Sequence, residues 1–197
     1  MPFFPDVALE APLSLTIDAL TAADAPALVD AFSDERLRRW LPLPSPYTLE
    51  TATRWCTTSS HEMRQADRGF VLGIRQQGEL VGSIDAKRVD WRAKTAEFSY
   101  WTAPAHRGTG IMPAAVRRVA EWMLTDQGFE RIELRIAPAN SASQRVAEKA
   151  GFQWEGTARN AGFTDASRVD LVVFSLIPTD LDSVERSIRS TPTNLGR

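Results

Sequence analysis

The sequence predicts a mixed α/β domain, with one mostly antiparallel central sheet flanked by helices. Three observations carry this. Alternating or β-branched runs occur in the middle of the chain and again near its end. Stretches of helical period separate them, and Gly or Pro residues mark the boundaries. A length of 197 residues is enough for one full core. Hydrophobic content of 43% with 24% charged residues describes an ordinary globular composition. The net charge of −2 gives no electrostatic case for binding nucleic acid or an anionic membrane.

The elements follow in order. Residues 1–11 are Pro-rich and are expected to wrap the surface. Residues 14–17 (SLTI) suit a short edge strand. Thr21 is placed to cap a helix running to about Phe32, and DERLRRWL (34–41) adds a helical turn. Pro42, Pro44 and Pro46 then break any helix, and residues 49–66 resume one. FVLGIRQ (70–76), a turn at Gln77-Gly78 and ELVGSIDAKRVD (79–90) read as a hairpin, with KTAEFSYWTA (94–103) as a third strand. Met112, Ala115, Val116, Val119, Ala120 and Met123 line one helical face, with Pro113 in the first turn and Gly128 at the stop. A strand at 130–136 alternates Ile132, Leu134 and Ile136 with charged residues. A short helix at 138–152 is capped by Asn140 or Ser141 and ended by Gly151. Residues 155–159 and 168–177 make a final hairpin. This divides the chain into an N-terminal extension (1–13), a domain (14–178) and a polar tail (179–197).

Several function classes are excluded early. The single cysteine, Cys56, allows no internal disulfide, and no His, Cys and carboxylate cluster has metal-ligand spacing. No signal peptide and no apolar run of the roughly 18 residues of a membrane span are visible, so a cytoplasmic protein is expected.

The chemistry-bearing stretch is HRGTGIMP, residues 106–113, just before the long amphipathic helix. Glycines entering a helix N-terminus form an anion site, because free N–H groups and the helix dipole point the same way. A dinucleotide fingerprint would need a third glycine where Pro113 stands, and a phosphate-binding P-loop would need Gly-Lys-Ser/Thr. Neither is present. What does fit is an ordered set: AEFSYW, then Arg107-Gly108-Thr109-Gly110, the helix, RIELRI, Asn140-x-x-Ser143, and Lys149-Ala-Gly151-Phe152.

That set resembles the GNAT superfamily of acetyl-CoA-dependent N-acetyltransferases over about residues 14–177. The likeness is closest to the branch of ribosomal-protein alanine and serine N-terminal acetyltransferases, through RRWLPLPSPYT, AEFSYWTAPAHRGTGIM and RVDLVVFSLI. The resemblance implies the acyl-CoA N-acyltransferase fold and acetyl-CoA as cosubstrate, with no metal. It implies that the N–H groups from Arg107 through Gly108, Thr109, Gly110 and Ile111 to Met112 wrap the pyrophosphate. The backbone at Tyr100, Trp101 and Thr102 would hold the oxyanion, and Asn140 and Ser143 would meet the pantetheine arm and the sulfur. Glu97 is the first candidate general base and Asp85 the second, each with the alternative of a structural carboxylate. Trp40, Leu41, Pro42, Tyr47 and the 159–168 loop are expected to wall the acceptor groove. The acceptor is expected to be a protein N-terminal α-amine, with an amino sugar, polyamine or drug as the alternative and a non-catalytic acyl-CoA sensor as the contrasting class. The resemblance also admits a homodimer formed through sheet edges.

Three positions depart from the family pattern. Met112 stands where the loop usually ends in Gly or Ala. Ala147 stands where many members carry a thiolate-protonating Tyr. Asp18 stands where the first strand often has Arg.

Overall fold

The computed structural model describes residues 4–41, 43–164 and 167–181. The expected acceptor residue Pro42, and the tail beyond residue 181, lie outside them. The strands are β1 (Leu9–Ala11), β2 (Leu15–Ala19), β3 (Phe70–Gln76), β4 (Glu79–Asp90), β5 (Thr95–Thr102), β6 (Arg131–Ile136), β7 (Gln153–Phe163) and β8 (Arg168–Leu176). They form one eight-stranded sheet in the order β1-β2-β3-β4-β5-β6-β8-β7. Every pairing is antiparallel except β5 with β6.

Helices cover both faces. On one side lie α5 (Ile111–Thr125) and α6 (Ser141–Lys149). The apolar stripe of α5 is fully buried against Ile17, Leu72, Ile84, Phe98 and Leu134. Burying a side chain of this size contributes roughly 1.5–3 kcal/mol, so this stripe anchors the glycine loop at its N-terminus. The other face carries α1 (Ala25–Phe32), α2 (Glu35–Arg38), α3 (Leu49–Arg54) and α4 (Ser60–Gln65), packed on Val71 and Trp101. Between α3 and α4 the chain widens into a π-helical segment, Trp55–Ser59.

Residues 4–11, expected to wrap the surface, are instead tied into the domain. Leu9–Ala11 pairs with β2. Phe4 is 3% exposed and packs on Phe70, Trp91 and Phe129. Val7, Leu9 and Ala11 alternate with exposed Ala8 and Glu10, but the run between Pro5 and Pro12 is too short to read as a strand without the tertiary contact.

The departure at Asp18 gains a physical account. Arg75 on β3 donates to Asp18 at 2.8 Å and to both oxygens of Asp24, at 2.5 and 2.9 Å. Asp24 also accepts from the Thr21 N–H, which starts the α1 turn. Burial works against the Asp24 charge, but the Arg75 and Thr21 hydrogen bonds outweigh it and hold the carboxyl below its usual value. Removing Arg75 leaves Asp24 buried at 4% exposure without its cation. Arg75→Met is therefore expected to destabilise the fold by about 3 kcal/mol near neutral pH. A group held below its unfolded pKa stabilises above that value and loses the contribution as pH falls through the folded pKa. The melting-temperature gap between wild type and variant should thus narrow below about pH 4. An unchanged gap there would assign the loss to packing alone.

Candidate active site

The site begins where two strands part. β5 and β6 pair only over Thr95–Phe98 and Arg131–Leu134. Beyond Phe98, β5 stays with β4, while β6 stays with β8. The edge of β5 at Tyr100, Trp101 and Thr102 therefore faces an opening with backbone groups that β6 does not use. Continued register would set Ser99 against Arg135 and Tyr100 against Ile136, so the gap arises because two strands that both run on diverge.

The glycine loop lies at one side of this opening. Gly108 (φ 78°) and Gly110 (φ 87°) both sit in the left-handed region, which glycine enters without steric cost. A Cβ at Gly108 would meet nothing within 4 Å, so the loop presents open backbone to solvent. Gly110 is the N-cap of α5, and the first-turn N–H groups at Ile111 and Met112 have no intrahelical acceptor. The Met112 and Ile111 side chains are 3% and 2% exposed, directed into the core. The departure at Met112 thus leaves the loop's outer surface free. The Thr109 hydroxyl donates to the His106 carbonyl at 2.7 Å and braces the turn. The Arg107 guanidinium is engaged elsewhere: it donates to Asp34 at 2.8 Å and ties the loop to the cap of α2. This loop offers an anion its backbone rather than that side chain.

Across the opening stands α6. Asn140 accepts from the Ser143 N–H at 3.2 Å, so the cap is Asn140 and not Ser141. The Tyr100 and Ser143 hydroxyls lie 2.8 Å apart, and the Tyr100 hydroxyl is 3.1 Å from the Ser143 carbonyl oxygen. Burial raises the Tyr100 phenol well above its ordinary value, so it stays protonated. Ala147, the position of the absent family Tyr, is on α6 and fully buried.

On the α1–α4 side a cavity of about 520 Å³ opens over the sheet. Phe32, Leu41, Tyr47, Trp55 and Trp101 make its walls, and Ser83 and Asp85 lie on its sheet side. Phe32 meets Tyr47 and Trp101 edge-on, with centroids at 4.8 and 5.2 Å. The π-helical turn matters here, because both Trp55 and Ser59 from it line the cavity. Asp85 takes hydrogen bonds of 2.8 Å from Ser99 to either oxygen. Burial pushes its carboxyl up to about 6, against the pull of Lys87 and Ser99. Glu97 is placed differently. It is 8% exposed, pairs with Lys87 at 3.4 Å and Arg88 at 3.2 Å, and is not among the residues lining the cavity.

Trp40 lies in a second groove of about 470 Å³, with Arg39, Pro138, Thr164 and Asp170. The structure therefore divides the expected acceptor residues: Leu41 and Tyr47 face the cavity, Trp40 the groove. Cys56 is buried, with its thiol pushed up to about 11 by burial, so it is protonated at neutral pH. Sequence reasoning missed Ser99, Trp55 and Phe32. The period-two alternation placing Ser99 on the face of Trp101 was a usable signal; the widened helical turn had none.

Among the described residues, no group of three His, Cys, Asp or Glu side chains is placed to hold a metal ion. No helix among them is long and apolar enough to cross a membrane.

Comparison with known proteins agrees with this geometry. The family described as "Acetyltransferase (GNAT) domain" matches residues 14–153. YdaF of Bacillus subtilis, provisionally named a ribosomal N-acetyltransferase, is 29% identical over 166 residues, covering 83% of this chain and 91% of its own. The ribosomal-protein-serine acetyltransferase of Escherichia coli is 26% identical over 141 residues, covering 72% and 79%. The structure of Mycobacterium smegmatis RimJ in complex with CoA-disulfide shares the fold, with a TM-score of 0.81 at 20% identity, over 94% of this chain and 93% of that one.

Proposed function

The chain belongs to the GNAT acetyltransferase family, and from that premise we propose that it moves an acetyl group from acetyl-CoA directly to a primary amine, with a protein N-terminal α-amine as the favoured acceptor. The observation that carries this reading is the gap between β5 and β6, with an anion-binding loop on one side and an acid-bearing cavity on the other. Acetyl-CoA supplies an activated acetyl thioester. The N–H groups of Gly108 to Met112 hold its phosphates, and Asn140 and Ser143 border its arm.

The chain's residues then have three tasks. Asp85 accepts the ammonium proton; its carboxyl, raised to about 6, is ionised at neutral pH yet basic enough to take a proton. Free backbone N–H groups on β5 near Tyr100 to Thr102 stabilise the oxyanion. The Ser143 hydroxyl, backed by Tyr100, donates a hydrogen bond to the departing thiolate, which leaves as the anion and takes its proton from water. That last task is light, since thiols have a pKa of about 8.5. Ser143→Ala is accordingly expected to lower kcat only about tenfold, with KM for acetyl-CoA little changed; steady-state kinetics with an unaffected kcat would remove Ser143 from this role.

The function itself is tested by thiol release from acetyl-CoA in the presence of short peptides with free N-termini, amino sugars and polyamines. Turnover with peptides supports the favoured acceptor, and turnover with the small amines alone replaces it. Acetyl-CoA binding without turnover on any amine would make the chain a sensor.

A further inference from the structure

Of the four basic side chains on β4, β5 and β6, three have carboxylate partners. Lys87 and Arg88 pair with Glu97. Arg131 pairs with Glu133 at 2.8 Å and with Glu155 at 2.5 Å. The Arg135 side chain has neither an ion pair nor a hydrogen bond among the described residues, and its Nε is buried without an acceptor. A buried donor left unmatched costs about 1–3 kcal/mol, so native structures retain few of them.

The position of Arg135 gives that vacancy a meaning. Leu134 and Ile136 point into the α5–α6 core. By strand alternation Arg135 points to the opposite face, the one that carries Asp85, Ser99 and Trp101. Phe98 and Leu134 are the last residues to pair before β5 and β6 separate. Ser99 and Arg135 are thus the first residues beyond the seam, one on each lip. Asp85 is the register partner of Ser99. A carboxylate stands on the β5 side of the gap and an unmatched guanidinium on the β6 side.

We propose that Arg135 is a specificity-determining residue that receives the carbonyl or carboxylate oxygen one carbon removed from the acceptor's α-carbon, so that the site selects α-amino-acyl acceptors. This rests on the acetyltransferase reading above and narrows it. The amine of such an acceptor is directed to Asp85, and its acyl oxygen accepts from Arg135. A polyamine or alkylamine has no oxygen to offer and leaves the guanidinium unmatched. A peptide N-terminus and a free amino acid share the required chemistry.

The test compares wild type with Arg135→Met, which keeps the apolar stem and removes the donors. Three acceptors are used: a short peptide amide with N-terminal alanine, free alanine, and hexylamine. The variant should raise KM for the peptide tenfold or more. KM for acetyl-CoA and kcat/KM for hexylamine should stay within twofold of wild type. A larger defect with alanine than with the peptide assigns the oxygen to a free carboxylate; the reverse assigns it to a peptide carbonyl. Equal losses on peptide and hexylamine would reduce Arg135 to a structural role and overturn the proposal, as would no loss on any acceptor. Arg135→Lys keeps a cation but lacks Nε, and should show the same KM-selective defect at smaller size if the Met variant folds poorly. Calorimetric titration of wild type with acetyl-CoA separates the two levels. Binding with turnover on hexylamine alone overturns the role of Arg135 and leaves acetyl transfer standing. Absence of both binding and turnover overturns the acetyltransferase reading and this one with it.

Discussion

Asp85→Asn is expected to lower kcat by about 10²- to 10³-fold at neutral pH, the usual contribution of a positioned general base. Asparagine keeps the shape and the hydrogen bonds to Ser99 but cannot take a proton. In wild type, kcat/KM should rise with pH through about 6, where the Asp85 carboxyl ionises, and then level off. The variant should lose that limb. Stability should move the other way. A carboxyl whose folded pKa lies above its unfolded value favours folding at low pH and opposes it once ionised. The amide removes the buried charge, so the variant should melt no lower than wild type at pH 8. Lost activity at retained stability is a signature that misfolding cannot imitate. Wild-type kcat in Asp85→Asn would sink the assignment and pass it to Glu97, whose Gln variant would then have to show the loss.

Gly110→Trp is expected to abolish measurable acetyl-CoA binding, a loss of at least about 100-fold by calorimetry. The position has φ 87°, where an L-residue costs roughly 1–2 kcal/mol. Strain alone accounts for a modest loss at most. The larger effect comes from bulk, since the loop can meet a phosphate only if its backbone is approached closely. Gly110→Ala separates the two: it introduces the strain with little bulk, and its Cβ meets only Leu13 at 3.8 Å. An Ala variant of near wild-type affinity beside a dead Trp variant supports close approach. Equal affinity in both would make the loop an ordinary turn.

Strands with strong periodicity were legible in the sequence to the residue. β3 and β4 occupy 70–76 and 79–90 as the alternation and the Gln77-Gly78 turn dictate. The helix after the glycine loop was equally clear, because a stop, a start and an apolar stripe agree over its length. The site was legible only in part. The loop, Asn140 and Ser143 lie on local motifs, and the structure brings them to one opening. Nothing local distinguishes Asp85 from Glu97: both are strand carboxylates on one face, and only their neighbours, Ser99 for one and Lys87 with Arg88 for the other, give them different surroundings. Arg135 reads in sequence as one more exposed alternate of RIELRI. Its isolation depends on where Glu133 and Glu155 direct their charges, and both are claimed by Arg131.

The short seam between β5 and β6 also bears on how the sheet assembles. On one side of it lies the β1–β5 block and on the other the β6–β8–β7 block, each built from antiparallel neighbours. The β3–β4–β5 and β7–β8 connections are brief, so those contacts close small loops and form at little entropic cost. Joining the blocks requires closing the whole span from β5 through α5 to β6, and it gains only four residue pairs. The two blocks are thus cheap to make and costly to unite. α5 packs against both blocks, so its buried stripe adds to the few strand pairs that join them.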